Sequence, residues 1–278
     1  MIEKITHGFA EGWKQRRVVF LVYVIQLIIA VPIGIQVYQV MEASIGNSMS
    51  LNIIQEGFNR TVVEDFLNVH GASITPLIGT FRYVVPMFLV LSIFLHAGIL
   101  GNVIKGKHRI ADFFKSGVKH FKNFLIFDLL FFLLFILWSI IIWIPFLMWM
   151  GNPVEDLSSE KVLVFGIAIS GTIYLIGLSL LWILIYNMKL SDVKEKISWR
   201  TSVKKGWDLW KKSITSQWGV FVIYALIHLI AILIYMAITD PIGAGSMWLI
   251  VFVMLLQQMF SLFRIGLRVA LFKSLSLN

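Results

Sequence analysis

Five ionisable side chains interrupt the apolar runs of this sequence: His96, Asp128, His228, Arg264 and Arg268, with Gln26, Asn102, Gln257 and Gln258 as neutral polar companions. Charged groups in hydrocarbon are costly and rare, so those present face a helix-bundle interior or a cavity and pair with one another. His96 and Arg264 each stand nine residues before a lysine, Lys105 and Lys273, while Asp128 stands six after Lys122. At about 1.5 Å of rise per helical residue, all three fall at similar depth near one membrane face. Arg264 and Arg268 are four apart and share a helix face. The expectation is a polar cluster of His96, Asp128, Arg264 and Arg268 in which Asp128 pairs with Arg264 or His96. Such a cluster suits proton coupling or an anionic ligand; the plainer alternative is a structural pair neutralising charge near the interface, with Arg268 snorkelling to water. His228, with Tyr224 and Tyr235 nearby, reads as a hydrogen-bonded packing histidine, since a catalytic zinc wants three protein ligands.

Catalytic signatures are not found. The sequence has no H-E-x-x-H, G-x-S-x-G or P-loop pattern, and no cysteine for thiolate chemistry or iron–sulfur ligation. No glutamate falls inside an apolar run. No catalytic residue, cofactor or metal site is therefore expected.

The elements that must hold these groups are membrane helices. The 278 residues are 58% apolar and 14% charged, against about 45–50% and about 25% in soluble domains. A bilayer core needs about 20 apolar residues in helix, and six stretches qualify, near Val18–Val40, Tyr83–Ile104, Asn123–Met150, Val162–Met188, Trp218–Ile238 and Met247–Phe272. The first is too long for a signal peptide and is read as a retained span. All but Arg60, Arg82 and Lys161 of the 24 basic residues lie on one side of these spans, Lys189 among them in the fourth connection. Basic loops stay cytoplasmic, which predicts both termini inside a bacterial inner membrane. The net charge of +9 then reflects topology and attraction to anionic headgroups, not nucleic acid.

A repeated element subdivides the chain. "FAEGWK", "FKSGVK" and "VKKGWD" place Gly12, Gly117 and Gly206 in basic segments ahead of the odd-numbered spans. Gly98, Gly177 and Gly266 mark the even-numbered spans, with a 60-residue interval from Gly117 to Gly177 and again from Gly206 to Gly266. The pattern predicts three hairpin repeats of about 1–104, 105–190 and 191–278, with pseudo-three-fold symmetry about the membrane normal. Phe9 with Trp13, Phe114 with Val118, and Val203 with Trp207 are four apart, so each pair shares one face of an interfacial amphipathic helix. A mid-helix glycine costs about 1 kcal/mol against alanine; its recurrence predicts close packing on a neighbouring span or a bend into the bilayer. An outer loop of about 41–81 surrounds Ile53, Ile54, Phe58, Val62, Val63 and Phe66, whose near-helical spacing predicts one or two short amphipathic helices capping the outer face.

The segment "KLSDVKEKISWRTSVKKGWDLWKKSITSQWGVFVIYALIHLI", and Ser198–Lys212 above all, resembles a bacterial membrane-domain family found fused to some glycerophosphodiester phosphodiesterases, and its stand-alone six-span relatives. The resemblance implies a six-span architecture. It carries over no phosphodiesterase activity, because that catalytic domain is absent, and no functional residues.

Together these readings predict an all-α integral membrane protein of six spans. The expected function is a non-enzymatic module that interacts with anionic lipid and with a membrane or cytoplasmic protein partner. The alternative is a small-molecule or lipid permease using the polar cluster. A permease needs a cavity reaching Asp128 and Arg264, whereas a module can have a solid core.

Overall fold

A computed structural model describes residues 2–45, 60–106, 108–151, 160–195, 197–240 and 246–277. Seven helices account for nearly all of them: α1 (Ile2–Lys14), α2 (Arg16–Ile45), α3 (Arg60–Lys105), α4 (Ile110–Met150), α5 (Glu160–Glu195), α6 (Trp199–Thr239) and α7 (Met247–Ser276). Six of them, α2 to α7, are long and apolar enough to cross a membrane. Helix is what such sequences must form, because hydrocarbon offers backbone N–H and C=O groups no partner outside the chain.

The helices are longer than the apolar runs inside them. At 41 residues each, α4 and α6 extend about 60 Å, twice a hydrocarbon core of about 30 Å. The basic stretches ahead of the third and fifth spans are thus the opening turns of continuous helices. Only α1 is separate. The chain breaks at Gln15, whose carbonyl accepts from Val18 and Val19 N–H (2.8 and 3.0 Å). Likewise α3 runs unbroken from Arg60, so residues 60–81 extend the second span instead of forming a separate short cap; Ile53, Ile54 and Phe58 lie outside the described residues. Pro32, Pro86 and Pro145 sit inside helices that continue past them. The α3–α4 connection is tight: Gly106 adopts φ +61°, the left-handed cap that glycine tolerates best, and Asn102 Nδ2 donates to Arg109 O across it (3.3 Å).

Packing is concentrated at the basic end of the bundle. The core comprises the start of α2 (Val18, Val22), the last turns of α3, α5 and α7 (Ile99, Leu190, Leu275), the first half of α4 (Phe113) and the middle of α6 (Val220). Towards the other end the helices present apolar side chains outward: Leu133, Leu137, Ile141 on α4 and Leu226, Ile230, Leu233 on α6 are exposed. Apolar burial gives helices little drive to associate in lipid, so close backbone approach and hydrogen bonds have to hold them.

Glycines supply the approach. A methyl group on Gly206 would sit 2.7 Å from the Met188 backbone, one on Gly117 would meet the Phe94 ring at 2.7 Å, and one on Gly12 would lie 3.4 Å from Gly266 O. Each therefore packs α6, α4 or α1 onto α5, α3 or α7. Trp13, Phe114, Val118 and Trp207 point outward from the same turns. Gly8 seats α1 still closer, against Ala270 O at 2.6 Å.

Candidate functional site

Buried polar side chains cross-link the helices at the basic end. On the α4–α5 seam, His120 Nδ1 lies 2.6 Å from Asp192 Oδ2, and Asn123 Nδ2 donates to Asp192 Oδ1 at 2.5 Å. Asn187 and Gln217 exchange two amide hydrogen bonds between α5 and α6 (2.8 and 2.9 Å). Tyr186 donates to Phe272 O on α7 (2.6 Å). Tyr224 on α6 bonds Ser274 on α7, whose hydroxyl donates to Lys4 O of α1 (both 2.9 Å). Most of these buried groups are satisfied by one another, as burial requires; His120 Nε2 has no hydrogen-bond partner among the described residues.

The same seam carries an ion pair that borders open space. Lys189 Nζ on α5 donates to Asp128 Oδ1 on α4 at 2.5 Å and lies 5.2 Å from the centroid of the Phe124 ring. Lys189 is buried, its side chain 9% exposed, and Asp128 is half-buried. A buried ammonium without a counter-charge would cost several kcal/mol; Asp128 and the ring face offset that.

Above this pair lies an apolar cavity of about 610 Å³ between α3, α4, α5 and α7. His96 lines it beside Asp128 and Lys189, its ring 5.3 Å from that of Phe272. The floor is closed by the buried Leu100, Phe124 and Ile185, while Leu89, Val90, Leu129 and Phe132 on the lining are exposed. The cavity thus opens sideways, between α3 and α4, at the level of the apolar belt. A molecule entering from lipid meets apolar walls and then one lysine, one aspartate and one histidine. That suits an amphiphile with a polar or zwitterionic head.

The expected cluster is only half assembled. His96 and Asp128 share the cavity, but the partner of Asp128 is Lys189, not Arg264 or His96. Arg264 and Arg268 lie exposed on α7, line neither this cavity nor the groove beside α1, and have no ion-pair or hydrogen-bond partner among the described residues. Charge counting places Lys189 in a cytoplasmic connection because the apolar run stops at Met188. The helix instead continues to Glu195, which draws Lys189 into the bundle. A usable signal was depth: Lys189 is six residues inside the end of α5, as Asp128 is six beyond Lys122. His228 contacts the Phe260 ring edge-on at 6.1 Å. Among the described residues, no group of three or more His, Cys, Asp or Glu side chains could hold a metal.

Comparison with family models, with curated proteins and with solved structures finds no match to this chain.

Proposed function

We propose that this chain is a non-enzymatic module of a bacterial inner membrane that holds an amphipathic lipid between its helices, with both termini and the basic end in the cytoplasm. The observation that carries the reading is the sideways-open apolar cavity ending on Lys189, Asp128 and His96. Its walls suit an acyl chain, and its floor offers a donor and an acceptor to a polar head. The excess of basic residues in the connections supports the orientation. Three hairpin units are supported by the way each basic helix start packs on a returning helix, α1 on α7, α4 on α3 and α6 on α5. Anionic headgroups at the basic end, and a membrane or cytoplasmic protein partner there, belong to the same reading.

The cavity also gives a permease reading, since its ion pair lies where a transported head group would bind. Against it stands the closed floor of Leu100, Phe124 and Ile185, which a transport cycle would have to open. The test is native mass spectrometry of the protein in lipid nanodiscs, with Ser92→Phe as the variant that fills the cavity. Retained lipid in the wild type, lost from Ser92→Phe at unchanged unfolding temperature, is the expected result. Equal lipid retention by both would exclude the cavity as the site. Flux of the retained molecule across proteoliposomes would select the permease reading.

A further inference from the structure

A second cavity, sharing no lining residue with the first, lies where α1, α2 and α7 meet. It is a groove of about 760 Å³ walled by Phe9 and Trp13 of α1, Phe20 of α2, and Leu262 and Phe263 of α7. At the basic end it runs into a smaller pocket of about 380 Å³ bordered by Trp13, Lys14, Arg16, Arg17 and His108. Trp13, Arg16 and Arg17 belong to both. We infer that this composite groove is a seat for one anionic phospholipid, its phosphate against Arg16 and Arg17 and an acyl chain along Phe20, Phe263 and Gly266. The inference rests on the membrane placement proposed above but not on the α3–α4 cavity.

Charge selects the headgroup. Among the described residues, no acidic residue lines either pocket. Arg16, Arg17 and Lys14 are exposed and have no ion-pair or hydrogen-bond partner among the described residues. Glu11, one turn earlier on α1, is buried and engaged elsewhere: it accepts from Gln15 Nε2 (3.2 Å) and lies 3.7 Å from His108 Nδ1. Two adjacent guanidiniums present forked donors, which match phosphate oxygens better than ammonium groups do. Arg16 also opens α2, so the positive end of that helix dipole adds to the field.

Depth selects the chain. Leu262 to Ala270 on α7 spans about 12 Å of helix rise, from the basic end into the apolar belt, where the only surrounding solvent is lipid. Exposed Trp13 stands at the boundary, where aromatic side chains of membrane proteins favour the headgroup level. The groove exists because of Gly266: a methyl group built there meets nothing within 4 Å. A larger residue would fill the groove without displacing a neighbouring helix.

The experiment is electron spin resonance of the full chain in phosphatidylcholine vesicles containing either spin-labelled phosphatidylglycerol or spin-labelled phosphatidylcholine. The wild type is expected to immobilise phosphatidylglycerol selectively, and each of Arg16→Gln and Arg17→Gln should reduce that selectivity about fivefold. Gly266→Leu should remove the immobilised component while leaving the unfolding temperature unchanged or higher. Ser92→Phe, which alters only the other cavity, should leave it intact; its loss there would assign the signal to that cavity and overturn the seat. Unchanged selectivity in Arg16→Gln/Arg17→Gln, or in Gly266→Leu, would overturn it as well. So would equal displacement by millimolar inorganic phosphate, since that would make the acyl groove irrelevant.

Discussion

Lys189 and the Arg16–Arg17 pair both stand where an apolar groove meets the basic end of the bundle, but their surroundings differ. Lys189 is buried with Asp128 at 2.5 Å and a phenyl ring beneath it, whereas the two arginines are exposed and have no ion-pair partner among the described residues. Removing an ammonium from water demands a counter-charge from the protein itself. A guanidinium at the membrane surface keeps water or a lipid phosphate as its partner and needs none. The first arrangement locks two helices together and leaves little net charge for a ligand. The second leaves the full charge available.

The sharpest way to break this comparison is to remove the internal counter-charge. Asp128→Ala strands a buried ammonium and should cost about 3 kcal/mol, at the low end for broken buried pairs because Asp128 is 27% exposed; denaturant titration of the reconstituted protein measures it. Next comes a contrast between two glycines. Gly206→Leu forces a side chain onto the Met188 backbone and should lose about 2 kcal/mol by overpacking, while Gly266→Leu enters open space and should gain up to about 1 kcal/mol of helix propensity. Equal effects at the two sites would contradict the packing described here. Replacing the ion pair whole, as Lys189→Met with Asp128→Leu, should return stability to within about 1 kcal/mol of wild type, because the pair's desolvation is removed with its attraction. Smallest of all, Arg16→Gln and Arg17→Gln should each change stability by less than about 0.5 kcal/mol, a value that separates an interfacial charge from a structural one in the same assay.

How far the sequence reveals this arrangement depends on whether the determining interaction is local. Six spans are legible because length and apolarity are properties of each segment alone. Gly12, Gly117 and Gly206 are legible as close-packing points because a mid-helix glycine has a cost that something must offset. Lys189 is not, since its position past an apolar run looks like a loop and its burial is decided by Asp128 on another helix. Nor is the His120–Asp192–Asn123 group, whose members sit in or beside basic stretches that read as solvated until α4 and α5 bring them together. Of the two alternatives the recurring glycine offered, close packing is found at all three positions, and a helix break precedes only the first span, at Gln15, while α4 and α6 are continuous. Local composition does not distinguish those outcomes.

The hydrogen bond from Ser274 to the Lys4 carbonyl joins residues 270 positions apart, and it has a consequence for biogenesis. At about 5–20 residues per second of synthesis, the surface of α1 that ends up beneath α7 has no partner for roughly 15–50 s after α1 itself is made. Over that interval α1 has lipid, α2, His108 and, once α6 is made, Ser216 and Tyr224 to rest on, and the groove between α1, α2 and α7 does not exist. Closure of the first helix onto the last therefore waits for α7, and nascent chains arrested before α7 emerges would carry an amino terminus without its main docking surface.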